Sequence, residues 1–219
     1  MKKMKSSPLN EEVYNYILDH YVPENELLNE LLKETEALSI PLIQISPEQG
    51  KFLYLICKMI KAKYALEIGT LTGYSAIHIA SGLVNNGKLI TVEKIKAHGD
   101  IAEKYLAKSG LSGKAEVVIS SALEYMEKLV SEKRKFDFIF IDADKTSYPD
   151  YFREALNLSD TGTVITFDNM LKDGRVILDP GDDADLKAVQ LTNKIISGSR
   201  EVESLLIPIG DGITVCVVK

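Results

Sequence analysis

Hydrophobic positions divide the chain into two regimes. In the first third they recur at three- and four-residue spacing: 10–21 and 24–38 each carry one apolar stripe, with Leu27, Leu28, Leu31 and Leu32 forming the clearest. Such spacing predicts amphipathic helices that need a surface to lie on. A third helix is announced by Ser46-Pro47-Glu48-Gln49 and runs to about Lys61. Here Ser46 is the N-cap, Pro47 takes the first helical position, and Gln49 closes a capping box.

From Lys63 the pattern changes to short β-rich runs at 64–68, 88–93, 115–119, 136–141 and 163–167, separated by helical patterns near 74–83, 96–109, 122–131 and 148–157. Strict alternation of this kind predicts a parallel sheet with helices on both faces. The unbroken run Phe138-Ile139-Phe140-Ile141 fits a central strand buried on both sides. After a helix over 183–197, the runs 202–209 and 213–218 flank Gly210-Asp211-Gly212, which predicts a hairpin and hence an antiparallel last strand. With both faces already covered, the first two helices are expected over the carboxyl edge of the sheet, in an acceptor pocket or a dimer interface.

Composition narrows the class. The 219 residues carry 26 Lys+Arg against 32 Asp+Glu, a net charge of −6, which argues against a nucleic-acid partner. No Pro/Gly/Ser-rich linker divides the chain, so one domain over 1–219 is expected, with N-terminal helices over 1–61 and a sheet core over 62–219. Basic Met1–Pro8 leads into polar Leu9-Asn10-Glu11-Glu12 with no apolar core, unlike a secretion signal. The longest apolar run, 52–57, is far short of the roughly 20 residues that span a membrane. A soluble cytoplasmic protein with buried, unpaired Cys57 and Cys216 is expected, and His20, His78 and His98 lack zinc-ligand spacing.

The chemistry gathers where strands end, since ligands of doubly wound sheets sit outside the carboxyl ends of the strands. The first strand ends Glu67-Ile68-Gly69-Thr70-Leu71-Thr72-Gly73-Tyr74-Ser75. That turn is either a tight βα connection or a seat for an anionic ligand group at a helix N-terminus. Glu93 closes the second strand, where a carboxylate accepts hydrogen bonds from ribose hydroxyls; the pair points to a nucleoside-bearing cofactor. The Gly-x-x-x-Gly spacing departs from the dinucleotide fingerprint and disfavours a dehydrogenase. The fourth strand ends Asp142-Ala143-Asp144-Lys145 and the fifth Asp168-Asn169. On neighbouring strands about 4.8 Å apart, Asp142 and Asp168 would converge. They would then repel each other unless a proton or a cation sits between them. With Asn169 they offer an all-oxygen site suited to Mg²⁺, Mn²⁺ or Ca²⁺; the other reading is a solvated acidic rim. Lys145 is then either a general base beside the metal or an idle surface lysine. Asp144 is given no chemical role.

The sequence resembles the cation-dependent class I O-methyltransferases, the group containing catechol and caffeoyl-CoA O-methyltransferases. The resemblance covers about Glu26 to Lys219 and rests on 44–50, the glycine turn 67–75, Asp142-Ala143-Asp144-Lys145 with Tyr148 and Tyr151, Asp168-Asn169, and Pro208-Ile209-Gly210-Asp211-Gly212. It implies a Rossmann-like α/β fold with a seven-stranded sheet in the order 3-2-1-4-5-7-6, and a homodimer. It also implies S-adenosylmethionine as cofactor, bound by Glu67, Gly69, Thr70, Ser75, Glu93, Ala122 and Asp142. Gly69 and Ser75 would take the amino-acid end, Glu93 the ribose and Ala122 the adenine. A divalent cation would lie on Asp142, Asp168 and Asn169, with Lys145 as base. The implied reaction is methyl transfer to a hydroxyl of a small catechol-like or polyphenolic molecule. Alternatives are a hydroxylated uridine in transfer RNA, which Lys172 and Arg175 keep open against the acidic composition, and cofactor binding without catalysis. Three positions depart from the family pattern: Ser120 replaces a Gly before the adenine contact, Lys172 stands where plant enzymes carry a substrate-facing Trp, and Gly198 replaces an Asp.

Overall fold

The computed structural model describes residues 9–219; the basic stretch Met1–Pro8 lies outside them. Three helices come first: α1 (Glu11–Tyr21), α2 (Glu26–Ala37) and α3 (Pro47–Met59). Strands and helices then alternate through β1 (Tyr64–Ile68), α4 (Tyr74–Gly82), β2 (Lys88–Glu93), α5 (Lys96–Lys108), β3 (Ala115–Ile119), α6 (Ala122–Ser131) and β4 (Phe136–Ile141). The chain ends with α7 (Tyr148–Asn157), β5 (Ser159–Phe167), α8 (Ala184–Gly198), β6 (Val202–Ile207) and β7 (Ile213–Val218). The strands form one sheet in the order β3-β2-β1-β4-β5-β7-β6, as the resemblance implied. β1 to β5 are parallel, and β7 runs antiparallel to both β5 and β6.

Burial on both faces explains why the central strands read as unbroken apolar runs. Phe138 and Phe140 of β4 pack with Leu53 of α3, Ile79 of α4 and Tyr105 of α5. Ile139 and Ile141 face the opposite layer, with Met126 of α6, Phe152 of α7 and Val189 of α8. Cys57 and Cys216 are buried in these two layers and unpaired.

Two strand boundaries differ from expectation. β5 begins at Ser159, not Thr163. Phe136 pairs with Ser159 while Phe138 pairs with Val164, so a bulge absorbs the extra residues around Gly162, whose φ is +92°. Thr163 Oγ1 donates to Phe136 O at 2.7 Å and accepts from Asp160 N at 3.0 Å. The polar, turn-like composition of 159–162 concealed this half of the strand. β6 stops at Ile207 because Pro208 has no N–H to give to the ladder.

Of the first two helices, α1 is tied to the carboxyl edge through the start of α3, while most of α2 lies elsewhere. α2 buries Leu28, Leu31 and Thr35 against the α5 side of the sheet, where Tyr105 OH donates to Glu34 at 2.7 Å. Only its C-terminal end reaches the carboxyl edge, where Thr35 Oγ1 donates to Thr72 Oγ1 at 3.0 Å. α1 buries none of its residues; Tyr14 OH ties it to Glu48 of α3 at 2.8 Å, and Val13, Tyr16 and Tyr21 face outward. Among the described residues no helix is long and apolar enough to cross a membrane.

The layering sets an expected contrast in urea unfolding. Phe138→Ala, which empties a fully buried site, should lower stability by about 3–5 kcal/mol, whereas Val13→Ala should change it by no more than about 0.5 kcal/mol. A multi-kilocalorie loss at Val13 would show that the α1 face is covered in solution.

Candidate active site

The carboxyl ends of β1, β2, β4 and β5 are linked to one another by side chains. Glu67, near the end of β1, is fully buried. Thr91 of β2 donates to its Oε2 and shares a second hydrogen bond with Thr70, while Oε1 has no partner. Burial pushes the Glu67 carboxyl up to about 8. The turn that follows has a structural reason for its glycines. A Cβ on Gly69 (φ +92°) would lie 1.9 Å from Asp142 O, and one on Gly73 (φ +96°) would lie 3.0 Å from Ala102. Both reflect close backbone approach, and Ser75 follows, buried in the first turn of α4.

Glu93, the last residue of β2, is buried. Its Oε2 accepts from Leu71 N and its Oε1 from Ile95 N, both at 2.8 Å. One carboxylate therefore braces the β1 turn, where Leu71 takes a positive φ of 48°, and the β2 turn together. Each oxygen keeps a further lone pair for a ligand. Ser120 N donates to Glu93 O at 3.0 Å, and Ala122 opens α6 beside it. Glu67, Gly69, Thr70, Ser75, Glu93 and Ala122 thus lie along one edge.

β4 and β5 are neighbours, with Ile141 opposite Phe167, and Asp168 N donates to Ile141 O at 3.1 Å. Asp142 and Asp168 therefore leave adjacent strands side by side. Asp168 is 3% exposed, and its carboxyl is pushed up to about 7, first by burial and then by the charge of Asp142. Asn169 follows in the left-handed conformation at φ +57°, which Asn tolerates better than most residues. Lys145 Nζ donates to Asp142 Oδ1 and to Tyr148 OH, each at 2.8 Å. Tyr148 OH in turn donates to Asp168 O at 3.1 Å. The tyrosine is wholly buried and held well above its usual pKa by that burial, so it relays hydrogen bonds as a neutral phenol. Asp144 anchors the turn by accepting from Tyr151 OH at 2.6 Å and from Ser147. Among the described residues no three His, Cys, Asp or Glu side chains gather as a metal cluster. The arrangement is two carboxylates, an amide and a lysine.

Sequence reasoning missed Gln49 at this site. Its Nε2 donates to Asp168 Oδ1 at 2.6 Å across 119 positions of sequence, a contact with no local signature. Lys172 and Arg175, beside the site in sequence, are each ion-paired, with Asp185 at 3.5 Å and Asp183 at 2.7 Å. A Cβ on Gly198 would meet nothing within 4 Å.

Residues 18–219 match the family model described as O-methyltransferase. The chain belongs to the O-methyltransferase family. It is 35% identical to a catechol O-methyltransferase of Niastella koreensis over 96% of this chain and all of that one. It is 32% identical to caffeoyl-CoA O-methyltransferase 5 of Nicotiana tabacum over 97% and 93% of the two chains. The O-methyltransferase from Bacillus cereus in complex with SAH superposes with a TM-score of 0.90 at 37% identity, covering 95% of this chain and 97% of that one. TomG from Streptomyces achromogenes, in complex with SAM, superposes with a TM-score of 0.89 at 31% identity, covering 95% and 96%. In this O-methyltransferase the linked strand ends are the candidate active site.

The buried Glu67 makes the ligand-free O-methyltransferase sensitive to pH. Its folded-state pKa of about 8 exceeds the unfolded value of roughly 4.3, so its contribution is fully present below the lower value and lost as pH rises through the upper one. Relative to Glu67→Gln, the wild-type protein should therefore lose stability between about pH 5 and 8. Parallel urea midpoints across that range would refute this assignment.

Proposed function

We propose that this O-methyltransferase transfers the methyl group of S-adenosylmethionine to a hydroxyl of a catechol-like or polyphenolic small molecule, with a divalent cation on Asp142, Asp168 and Asn169. The observation that carries the reading is the buried Asp168 carboxyl set against Asp142 at the ends of adjacent strands. An all-oxygen donor set of this kind fits Mg²⁺, Mn²⁺ or Ca²⁺. The unpartnered Oε1 of Glu67 fits an ammonium group at the amino-acid end of the cofactor, beside Gly69, Thr70, Ser75 and Asp142. The free lone pairs of Glu93 fit its ribose hydroxyls, and Ala122 its adenine. The SAH and SAM complexes of the superposed enzymes support this placement.

When bound, the cation lowers the pKa of an acceptor hydroxyl from the phenolic value of about 10, and the cofactor supplies an electrophilic methyl group. Lys145 in its neutral form takes the hydroxyl proton at Nζ. Asp142 and Tyr148 hold that nitrogen from two sides, so its place does not depend on the acceptor. Asp168 and Asn169 fix the acceptor side by position and charge. Pairing of Lys172 and Arg175 with aspartates leaves little free positive charge on that loop for a nucleic-acid backbone, which favours the small-molecule reading. The proposal extends to a cytoplasmic homodimer.

Assays of methyl transfer to catechol test this reading. Chelation should stop the reaction and Mg²⁺ or Mn²⁺ should restore it, while Asp168→Ala should stay severely impaired at every metal concentration. Lys145→Met should keep Mn²⁺ binding but lose rate, with the deficit shrinking as pH rises and the hydroxyl ionises unaided. Full activity in chelator would sink the cation, and a pH-independent deficit would reduce Lys145 to a positioning group.

A further inference from the structure

Gln49 sits at the third position of α3, where sequence reasoning gave it only a helix-capping role. Its side chain does more than cap. Oε1 accepts from Ser46 N at 2.9 Å, while Nε2 donates to Asp168 Oδ1 at 2.6 Å. These partners settle the orientation of the amide. Turning it over would set its NH₂ group against the Ser46 N–H and its oxygen against the Asp168 carboxylate, two repulsive contacts in place of two hydrogen bonds. The residue is 3% exposed, so bulk water offers no substitute.

The surroundings hold the amide in that position. Gly210, in the turn between β6 and β7, lies so close that a Cβ there would fall 2.2–2.5 Å from the amide carbon, oxygen and nitrogen of Gln49. On the other side, Ser46 Oγ donates to Glu48 Oε1 at 2.6 Å, and Glu48 Oε2 accepts from Tyr14 OH at 2.8 Å. The N-terminal helices are thereby connected to the end of β5 through one side chain.

We infer that Gln49 is a positioning residue for the cation site: anchored at the start of α3, it takes up one oxygen of Asp168 and leaves the other directed toward Asp142. This rests on the cation reading above and adds a residue to it. A carboxylate free to rotate about its last bond presents either oxygen in either direction. One tied at Oδ1 has its second oxygen aimed before any ligand arrives. Hydrogen-bonded partners of this kind change metal affinity by about 10–100-fold when removed.

The test is Mn²⁺ affinity of the full-length protein, read by electron paramagnetic resonance without substrate, for the wild type, Gln49→Met and Ser46→Ala. Gln49→Met preserves side-chain length and removes both ends of the clamp; Ser46→Ala weakens the helix cap and leaves the Asp168 contact. The inference predicts a loss of about 10–100-fold in Mn²⁺ affinity for Gln49→Met and less than about 2-fold for Ser46→Ala. If Gln49→Met does not fold, Gln49→Asn, too short to span from Ser46 to Asp168, is expected to show the same loss. An unchanged affinity in the Gln49 variants, or an equal loss in Ser46→Ala, overturns the positioning role while leaving the cation site standing. A wild-type protein that binds no Mn²⁺ overturns the cation reading itself.

Discussion

The carboxylates of Asp142 and Asp168 leave adjacent parallel strands, and water is largely kept from Asp168. Two like charges so placed repel, and burial magnifies the repulsion, because each charge has lost much of its solvation. The raised Asp168 pKa records that repulsion; Lys145 on Asp142 offsets it in part, and a divalent cation would relieve it further. The sheet order creates the conflict by placing β4 beside β5, and helices on both faces maintain it by keeping those strands dry. The side chains that complete the site, Lys145, Tyr148 and Gln49, are arranged around the same pair.

The remainder of the candidate site is built by cross-linking strand ends. Glu93 holds the turns after β1 and β2 together, Thr91 joins Thr70 to Glu67, and Gly69 lets β1 approach Asp142. Such links fix the geometry of this edge without a ligand. They also give several residues two duties. Glu93 could not be changed without loosening the β1 turn, so a weakened cofactor affinity in a Glu93 variant would report both losses at once.

Most of the sheet was legible because buried parallel strands declare themselves as apolar runs and because Gly69, Glu93, Asp142 and Asp168 close the runs of β1, β2, β4 and β5. The strand order came from resemblance, and it is what turned two separate Asp residues into a pair. What escaped was non-local or disguised. Residues 159–162 carry turn-like side chains within a bulged strand, and Gln49 showed a helix cap while its other end reached Asp168. The N-terminal stripes were read correctly as helical, but periodicity does not say which surface a helix meets. α2 found α5, and α1 found little beyond Glu48.

The central claim is that the Asp142–Asp168 pair exists to hold a divalent cation. Anomalous diffraction from crystals soaked in Mn²⁺ tests it most directly. The account predicts a single strong peak bounded by oxygens of Asp142, Asp168 and Asn169, at about 2.0–2.6 Å from each, the range of hard-cation oxygen ligation. No peak there, with Lys145 still bonded to Asp142 and Asp168 still tied only to Gln49, would contradict it.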